Sequence, residues 1–293
     1  MLEDTPSAAA LIDDGQSSPS VGHRFGLALP TMVDARVRNA QAPWSRFSSK
    51  KYYNHNYKRM QAEDQEIIHR VSLFFAGAFA DRDHAQDAID VGSGSNLYPA
   101  LLMLPWANHI LLTDYSQRNV RWLRRAVRKR RSPWAWQPFW QELKGCKGYD
   151  EIDEPRRHLK KACLGDRKHA GIRRHSVFEL PEDQWGLGTM FFVAESISED
   201  VAEFRAAMGK FVGALQSGAP FAAAFMAESE GYEVNGTWFP ASRITSEQVT
   251  ECFKEFGAND LTVAMVEALP EVREGYKGMI VATGIAGDRQ GER

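Results

Sequence analysis

Two short stretches hold the residues best suited to chemistry. The first is Asp90-Val91-Gly92-Ser93-Gly94, which follows the apolar run Ala88–Val91 and precedes an apolar segment starting near Leu97. Glycines at such a turn let a ligand approach backbone that carries no side chains. A helix beginning just beyond it would add unpaired N–H groups. The second is Asp114, twenty-two residues after Gly92, at the end of the apolar run His109–Thr113. A carboxylate there can accept from both hydroxyls of a ribose. The pair predicts a nucleoside held at the carboxyl ends of parallel strands. A dinucleotide fingerprint would place a third glycine where Leu97 stands, and the Gly-Lys-Ser/Thr of a P-loop is absent. The bulky Ser95-Asn96-Leu97-Tyr98 suits a nucleoside cofactor without a pyrophosphate, of which S-adenosylmethionine is the common one.

These residues need a scaffold, and the apolar periodicity supplies one. It predicts a helix over Gln61–Phe79, with Ile67, Ile68, Val71, Phe74 and Phe75 on one face. Strand, glycine turn and helix follow, then strand His109–Thr113 and helix Ser116–Arg131, with Ser116 as N-cap. After a break over residues 132–170, strands are expected at Gly171–Val177 and Gly188–Ala194, a helix at Glu199–Gln216, and a strand at Phe221–Met226. Asn235-Gly236 marks a hairpin within Glu228–Pro240. A helix over Ser246–Phe256 and strands Leu261–Ala268 and Gly275–Thr283 complete the pattern. Alternation of this kind calls for an α/β fold, a doubly wound Rossmann-like sheet with right-handed crossovers. Residues 1–45 read as a flexible lead-in, 46–285 as one catalytic domain with an insertion at 132–170, and 286–293 as a flexible tail.

Three motifs, in order and spacing, resemble the nicotinamide, phenylethanolamine and indolethylamine N-methyltransferase family. They are Tyr52-Tyr53-Asn54-His55-Asn56-Tyr57, then Ile89 through Gly94 running to Tyr98, then Thr113-Asp114-Tyr115-Ser116 with Asn119. The resemblance spans residues 45–285 and implies a class I methyltransferase: a mostly parallel sheet with an antiparallel last strand, an N-terminal helical lid and substrate-side insertions. It implies S-adenosylmethionine as cofactor. Carried over by position, Tyr52 and Tyr57 would close over the cofactor, Gly92, Ser93, Gly94 and Tyr98 would hold its methionine end, and Asp114, Tyr115 and Asn119 its ribose and adenine. Ser176-Val177 stand where the family has an Asp-Val pair beside adenine. Ala194, followed by Glu195, ends the fourth strand. Beyond the fifth strand, Ser229, Tyr232 and Trp238 are the expected substrate contacts. Glu228 and Glu230 could deprotonate an amine, and with Tyr52 they are the catalytic candidates.

Composition narrows the alternatives. The 293 residues are 43% hydrophobic and 25% charged with net charge −2, which is ordinary for a water-soluble globular chain. No run reaches eighteen apolar residues, and the acidic start lacks a basic-then-apolar leader. Three widely spaced cysteines suggest reduced thiols and a cytoplasmic setting. No metal spacing emerges. Charge is uneven: Arg118–Arg174 holds eighteen Lys or Arg against six Asp or Glu. A solvated helix face explains most such stretches; a nucleic-acid face is the other reading. The expected partner is a small amine or nitrogen heterocycle, with neither membrane nor nucleic acid. An O- or C-methyltransferase, a cofactor-binding protein without catalysis, and an RNA-associated methyltransferase stand as alternatives.

Overall fold

The computed structural model describes residues 36–81, 86–129, 134–164, 170–267 and 277–288. Seven strands form one sheet: β1 (Gln86–Asp90), β2 (Ala107–Asp114), β3 (Gly171–Arg174), β4 (Leu187–Phe191), β5 (Pro220–Met226), β8 (Ala258–Val266) and β9 (Met279–Ala286). Their spatial order is β3-β2-β1-β4-β5-β9-β8. The first five are parallel, and β9 runs antiparallel between β5 and β8. Chain order reverses between β1 and β4, the topological switch point at which α/β sheets bind ligands. A separate hairpin, β6 (Tyr232–Val234) and β7 (Thr237–Phe239), turns at Asn235-Gly236 with φ of +52° and +74°.

Strand alternation builds a core on each face of the sheet. Ala222, Ala224 and Met226 of β5 join one apolar cluster, while Phe221, Ala223 and Phe225 join the other. The first cluster packs α2 (Ala62–Ala78), α3 (Tyr98–Met103), α4 (Gln117–Arg128), α5 (Gln137–Leu143) and α6 (Pro155–Leu164) against the sheet. The second packs α7 (Val201–Ala214) and α8 (Ser246–Glu255). Local chemistry fixes where helices begin. The Ser116 hydroxyl accepts from Arg118 N, Asp200 accepts from Ala202 N at the start of α7, and Thr245 forms a capping box with Gln248. β5 is buried along its whole length, as a central strand covered on both faces must be.

Two organisational expectations need correction. The lead-in is not loose through residue 45. Glu199 and Val37 exchange hydrogen bonds of 2.8 and 2.9 Å, Asn39 N donates to Glu203 Oε2 at 2.8 Å, and Arg38 pairs with Asp200 at 3.2 Å. These contacts clip residues 36–39 onto the start of α7; residues 1–35 lie outside the described residues. The described part of the expected insertion at 132–170 carries α5 and α6 and buries Trp136, Phe139, Trp140, Leu143 and Tyr149 in the first core cluster. Its aromatic density, which breaks the strand–helix rhythm, is what fills that core. Ala286, expected in the tail, pairs with Ala258 in the sheet.

Candidate active site

The turn after β1 is held from below by its own strand neighbours. Ser93 N donates to Thr113 O at 2.8 Å, the Ser93 hydroxyl donates to Asp90 O at 3.1 Å, and Val91 N donates to Thr189 O at 2.8 Å. Asp90 itself is buried, its Oδ1 accepting from the Thr189 hydroxyl at 2.8 Å, and burial raises its carboxyl to about 7. Gly92 and Gly94 have φ of +67° and +58°. A Cβ on Gly92 would lie 2.5 Å from Val193 Cγ2, so the turn combines a left-handed bend with a close approach to the end of β4.

Asp114 stands across from that turn. Its Oδ2 accepts from Gly94 N at 2.9 Å, its Oδ1 accepts from Ser116 N at 2.6 Å, and Asn119 Nδ2 lies 3.2 Å from both oxygens. Burial pushes its carboxyl up to about 6, against the opposing pull of those donors. Asn119 is oriented in turn by the Ser49 hydroxyl, which donates to its Oδ1 at 2.6 Å. Ser49 begins α1 (Ser49–Asn56), the helix that carries the tyrosines. The ribose-side carboxylate and the roof of the site are thereby tied together.

The roof is aromatic. Tyr52 lies 5.3 Å from Phe47, 6.0 Å from Tyr57 and 6.1 Å from Tyr232, centroid to centroid. Tyr232 stacks on Phe239 at 5.5 Å, and its hydroxyl donates to Ser196 O at 3.2 Å. With the glycine turn below and Asp114, Tyr115, Asn119, Ser176 and Val177 at one end, these rings enclose a cleft of about 770 Å³, mouth included. Phe191, Phe192, Ser196 and Ile197 also line it. Thus Tyr52, Tyr57, Gly92, Ser93, Gly94, Asp114, Tyr115, Asn119, Ser176, Val177 and Tyr232 come together as the motifs suggest.

Other candidates do not reach this cleft. Tyr98 is buried against Phe139, with rings stacked at 5.5 Å, and Asp64 stands beside its hydroxyl; it supports Tyr57 from behind at 6.1 Å. Ala194 is fully buried among the residues packed by α7. Glu228 pairs with Lys277 at 2.8 Å, and Glu230 pairs with Arg243 at 3.0 Å, so both acids are spent on cations outside the cleft. The Ser229 hydroxyl lies in its own turn near Gly231, and Trp238 is 55% exposed over that glycine. The family resemblance directs these four residues and Tyr232 toward the substrate, but hairpin twist decides which side chains face in, and of the five Tyr232 lines the cleft. Cleft residues absent from the motif reading include Asn39, Trp44, Phe47 and His175. The aromatic crowding from Trp44 onward was the available signal for two of them.

Residues 36–282 match the model of the NNMT/PNMT/TEMT family. The chain belongs to this family. A nicotinamide N-methyltransferase of Sus scrofa is 26% identical over 212 residues, covering 71% of this chain and 78% of the relative. Among solved structures, the complex of a Haloferax volcanii methyltransferase with its activator aligns with TM-score 0.49 and 11% identity, over 83% of this chain and 95% of that one. The N-methyltransferase NodS of Bradyrhizobium japonicum, bound to S-adenosylhomocysteine, aligns with TM-score 0.45 and 10% identity over 78% and 90%. As a member of the NNMT/PNMT/TEMT family, this chain is an S-adenosylmethionine-dependent methyltransferase.

The cleft fits that cofactor on its own geometry. The Gly92 bend leaves backbone bare where a Cβ would collide with Val193. Asp114 is a buried carboxylate facing the cleft with lone-pair capacity left for hydroxyl donors. The tyrosine and tryptophan faces above suit a sulfonium cation. Gly92, Ser93 and Gly94 would hold the amino-acid end, Asp114 the ribose, and Ser176 and Val177 the adenine. The Ser176 hydroxyl already accepts from Phe178 N at 3.3 Å, which leaves its proton for adenine. Among the described residues, no cluster of three or more His, Cys, Asp or Glu could hold a metal, and no helix is long and apolar enough to cross a membrane.

Proposed function

We propose that this methyltransferase N-methylates a small nitrogen compound, and that a neutral nitrogen heterocycle suits it better than an ammonium. The observation that carries the reading is the ionisable lining of the cleft. Among the described residues, Asp114 is the one carboxylate that lines it, at the ribose end, and the one imidazole, His175, has its Nδ1 engaged with Ser176 O at 3.0 Å beside the adenine-side residues. Glu228 and Glu230 are paired elsewhere. A heterocyclic nitrogen with a free lone pair needs no proton removed before it attacks, whereas an ammonium does. The relative from Sus scrofa is named for nicotinamide, a pyridine, which agrees with this preference.

The cofactor supplies a methyl group already activated on a sulfonium. The chain's work is then alignment and exclusion of water. Tyr52 and Tyr232, 6.1 Å apart, frame the acceptor end, with Phe191, Phe192 and Ile197 supplying apolar walls. Holding acceptor and methyl in line can contribute an effective concentration of roughly 10⁵ M or more. Aromatic faces stabilise the cationic product of N-methylation by about 0.5–2 kcal/mol each. The three cysteines stand unpaired, which suits a reducing, cytoplasmic setting.

The test is a panel of pyridines, quinolines, primary amines, phenols and thiols, read by S-adenosylhomocysteine release. The expected result is turnover with the heterocycles and with neutral amines at raised pH. Turnover confined to phenols or thiols would overturn the nitrogen acceptor. Tight cofactor binding with no release from any member would point to a binding protein without catalysis.

A further inference from the structure

A second cavity, about 1020 Å³ with its open mouth included, is lined from α1 by Lys50, Tyr53 and Asn54, none of which lines the cofactor cleft. Tyr53, Trp122 and Trp134 line it as aromatic walls, with Tyr53 and Trp122 rings 5.5 Å apart. Lys50, Arg125, Lys129 and Arg156 line it too, and no Asp or Glu does among the described residues. The side chains of Lys50, Arg125 and Lys129 take part in no ion pair among those residues. Lys50, Arg125 and Lys129 around three π faces form a potential that selects a planar anion: the charges supply attraction and the rings supply stacking.

We propose that this cavity is a second ligand site, for a small aromatic carboxylate, sulfonate or phosphate. The basic stretch that in sequence suggests RNA is better accounted for here. Arg124 is engaged with Ile172 O at 2.8 Å, and Arg174 donates to Tyr115 O at 3.0 Å while lying over the Tyr115 ring. Arg125, Lys129 and Arg156 of that stretch, joined by Lys50, line one open pocket, while Arg118 and Arg121 lie beside Arg174 elsewhere on the surface. A nucleic-acid strand would instead require a continuous charged groove with successive stacking platforms.

The site is joined to the cofactor cleft through adjacent residues of α1 and the rings packed on them. Tyr52 lines the cleft and its chain neighbour Tyr53 lines the cavity. Trp136 lies 5.7 Å from Tyr53 and 6.1 Å from Tyr57, which roofs the cleft. A ligand that fixes α1 from one side therefore changes the cost of ordering it from the other. The site itself does not depend on which acceptor is methylated; the coupling rests on the cofactor cleft as described.

Calorimetry with indole-3-carboxylate tests it, with the uncharged indole-3-carboxamide as control. One molecule should bind per chain, and the carboxamide at least tenfold more weakly. Arg125→Glu with Lys129→Glu should weaken the carboxylate at least tenfold without lowering the melting temperature. Trp122→Leu should weaken it at least tenfold as well by removing a stacking face, with some loss of melting temperature because the ring also packs on the core. Saturating S-adenosylhomocysteine should leave the stoichiometry at one and shift the Kd two- to fivefold, with the reciprocal shift in its own affinity. Displacement by S-adenosylhomocysteine, equal binding of the carboxamide, or indifference to both variants would overturn the site. An unchanged Kd would overturn the coupling. Salt-sensitive binding of poly(U) with none of indole-3-carboxylate would return the face to RNA.

Discussion

Asp114 carries two demands that conflict until a ligand arrives. Burial raises its carboxyl to about 6, while Gly94, Ser116 and Asn119 hold the ionised form by donating to it. Ribose hydroxyls are donors too, so the ligand prefers the charged state. Cofactor affinity should therefore rise as pH climbs through about 6 and fall about tenfold per unit below it. Calorimetry with S-adenosylhomocysteine at pH 5 and 7.5 reads this directly; a flat profile would mean that the carboxylate is not a ligand. Asp114→Ala should cost about 1.5–3 kcal/mol of binding, at least tenfold in affinity, as a lost charge-assisted hydrogen bond does. Glu228→Gln with Glu230→Gln should leave turnover within about twofold, because exposed ion pairs contribute about 0–1 kcal/mol and these acids face Lys277 and Arg243. A hundredfold loss would restore them as bases.

At the scale of the element, the glycine turn and α1 do the positioning. Gly92→Ala imposes both a positive φ on a Cβ and a 2.5 Å approach to Val193; together these should destabilise the chain by about 1–3 kcal/mol. Gly92→Ala with Val193→Ala relieves the collision and not the backbone strain, so thermal melting should recover only in part. Full recovery would mean that the bend costs alanine nothing. The sequence made this element legible because its constraint is local: glycine spacing and a carboxylate at a strand end encode the bend in a few consecutive residues. The seven-strand pattern was legible for the same reason, since strand burial shows as apolar runs such as Phe221–Met226. Side-chain direction around the hairpin was not. Ser229, Glu230 and Trp238 lie within a few residues of Tyr232, yet their facing depends on the twist set by the positive φ at Glu228, Gly231 and Asn235. The seat of residues 36–39 on α7 was hidden as well, because Glu199 and Glu203 lie more than 160 positions from their partners.

Over the whole molecule, the buried carboxylates make stability depend on pH in an uncommon direction. Asp64, Asp90 and Glu195 are each raised to about 7, with burial as the leading cause. The ordinary values of these groups are 3.8, 3.8 and 4.5, so between roughly pH 4 and 7 the folded chain binds more protons than the unfolded one. Stability then falls as pH rises through that window, by up to about 1.4 kcal/mol per unit for each group. The contribution is complete below the unfolded values and lost above the folded ones. The melting temperature of the ligand-free protein should accordingly increase as pH is lowered from 8 toward 5.5. Glu195 isolates one term. Its Oε1 accepts from Met226 N at 3.1 Å and from the Ser196 hydroxyl at 2.9 Å, both of which a Gln oxygen can also accept. Glu195→Gln should therefore raise the melting temperature at pH 8 and shallow the pH slope by about one proton. If the ligand-free protein instead melts higher as pH rises from 5.5 to 8, these carboxyls ionise in the folded state at ordinary values. The switch-point walls are then wetter than their burial implies.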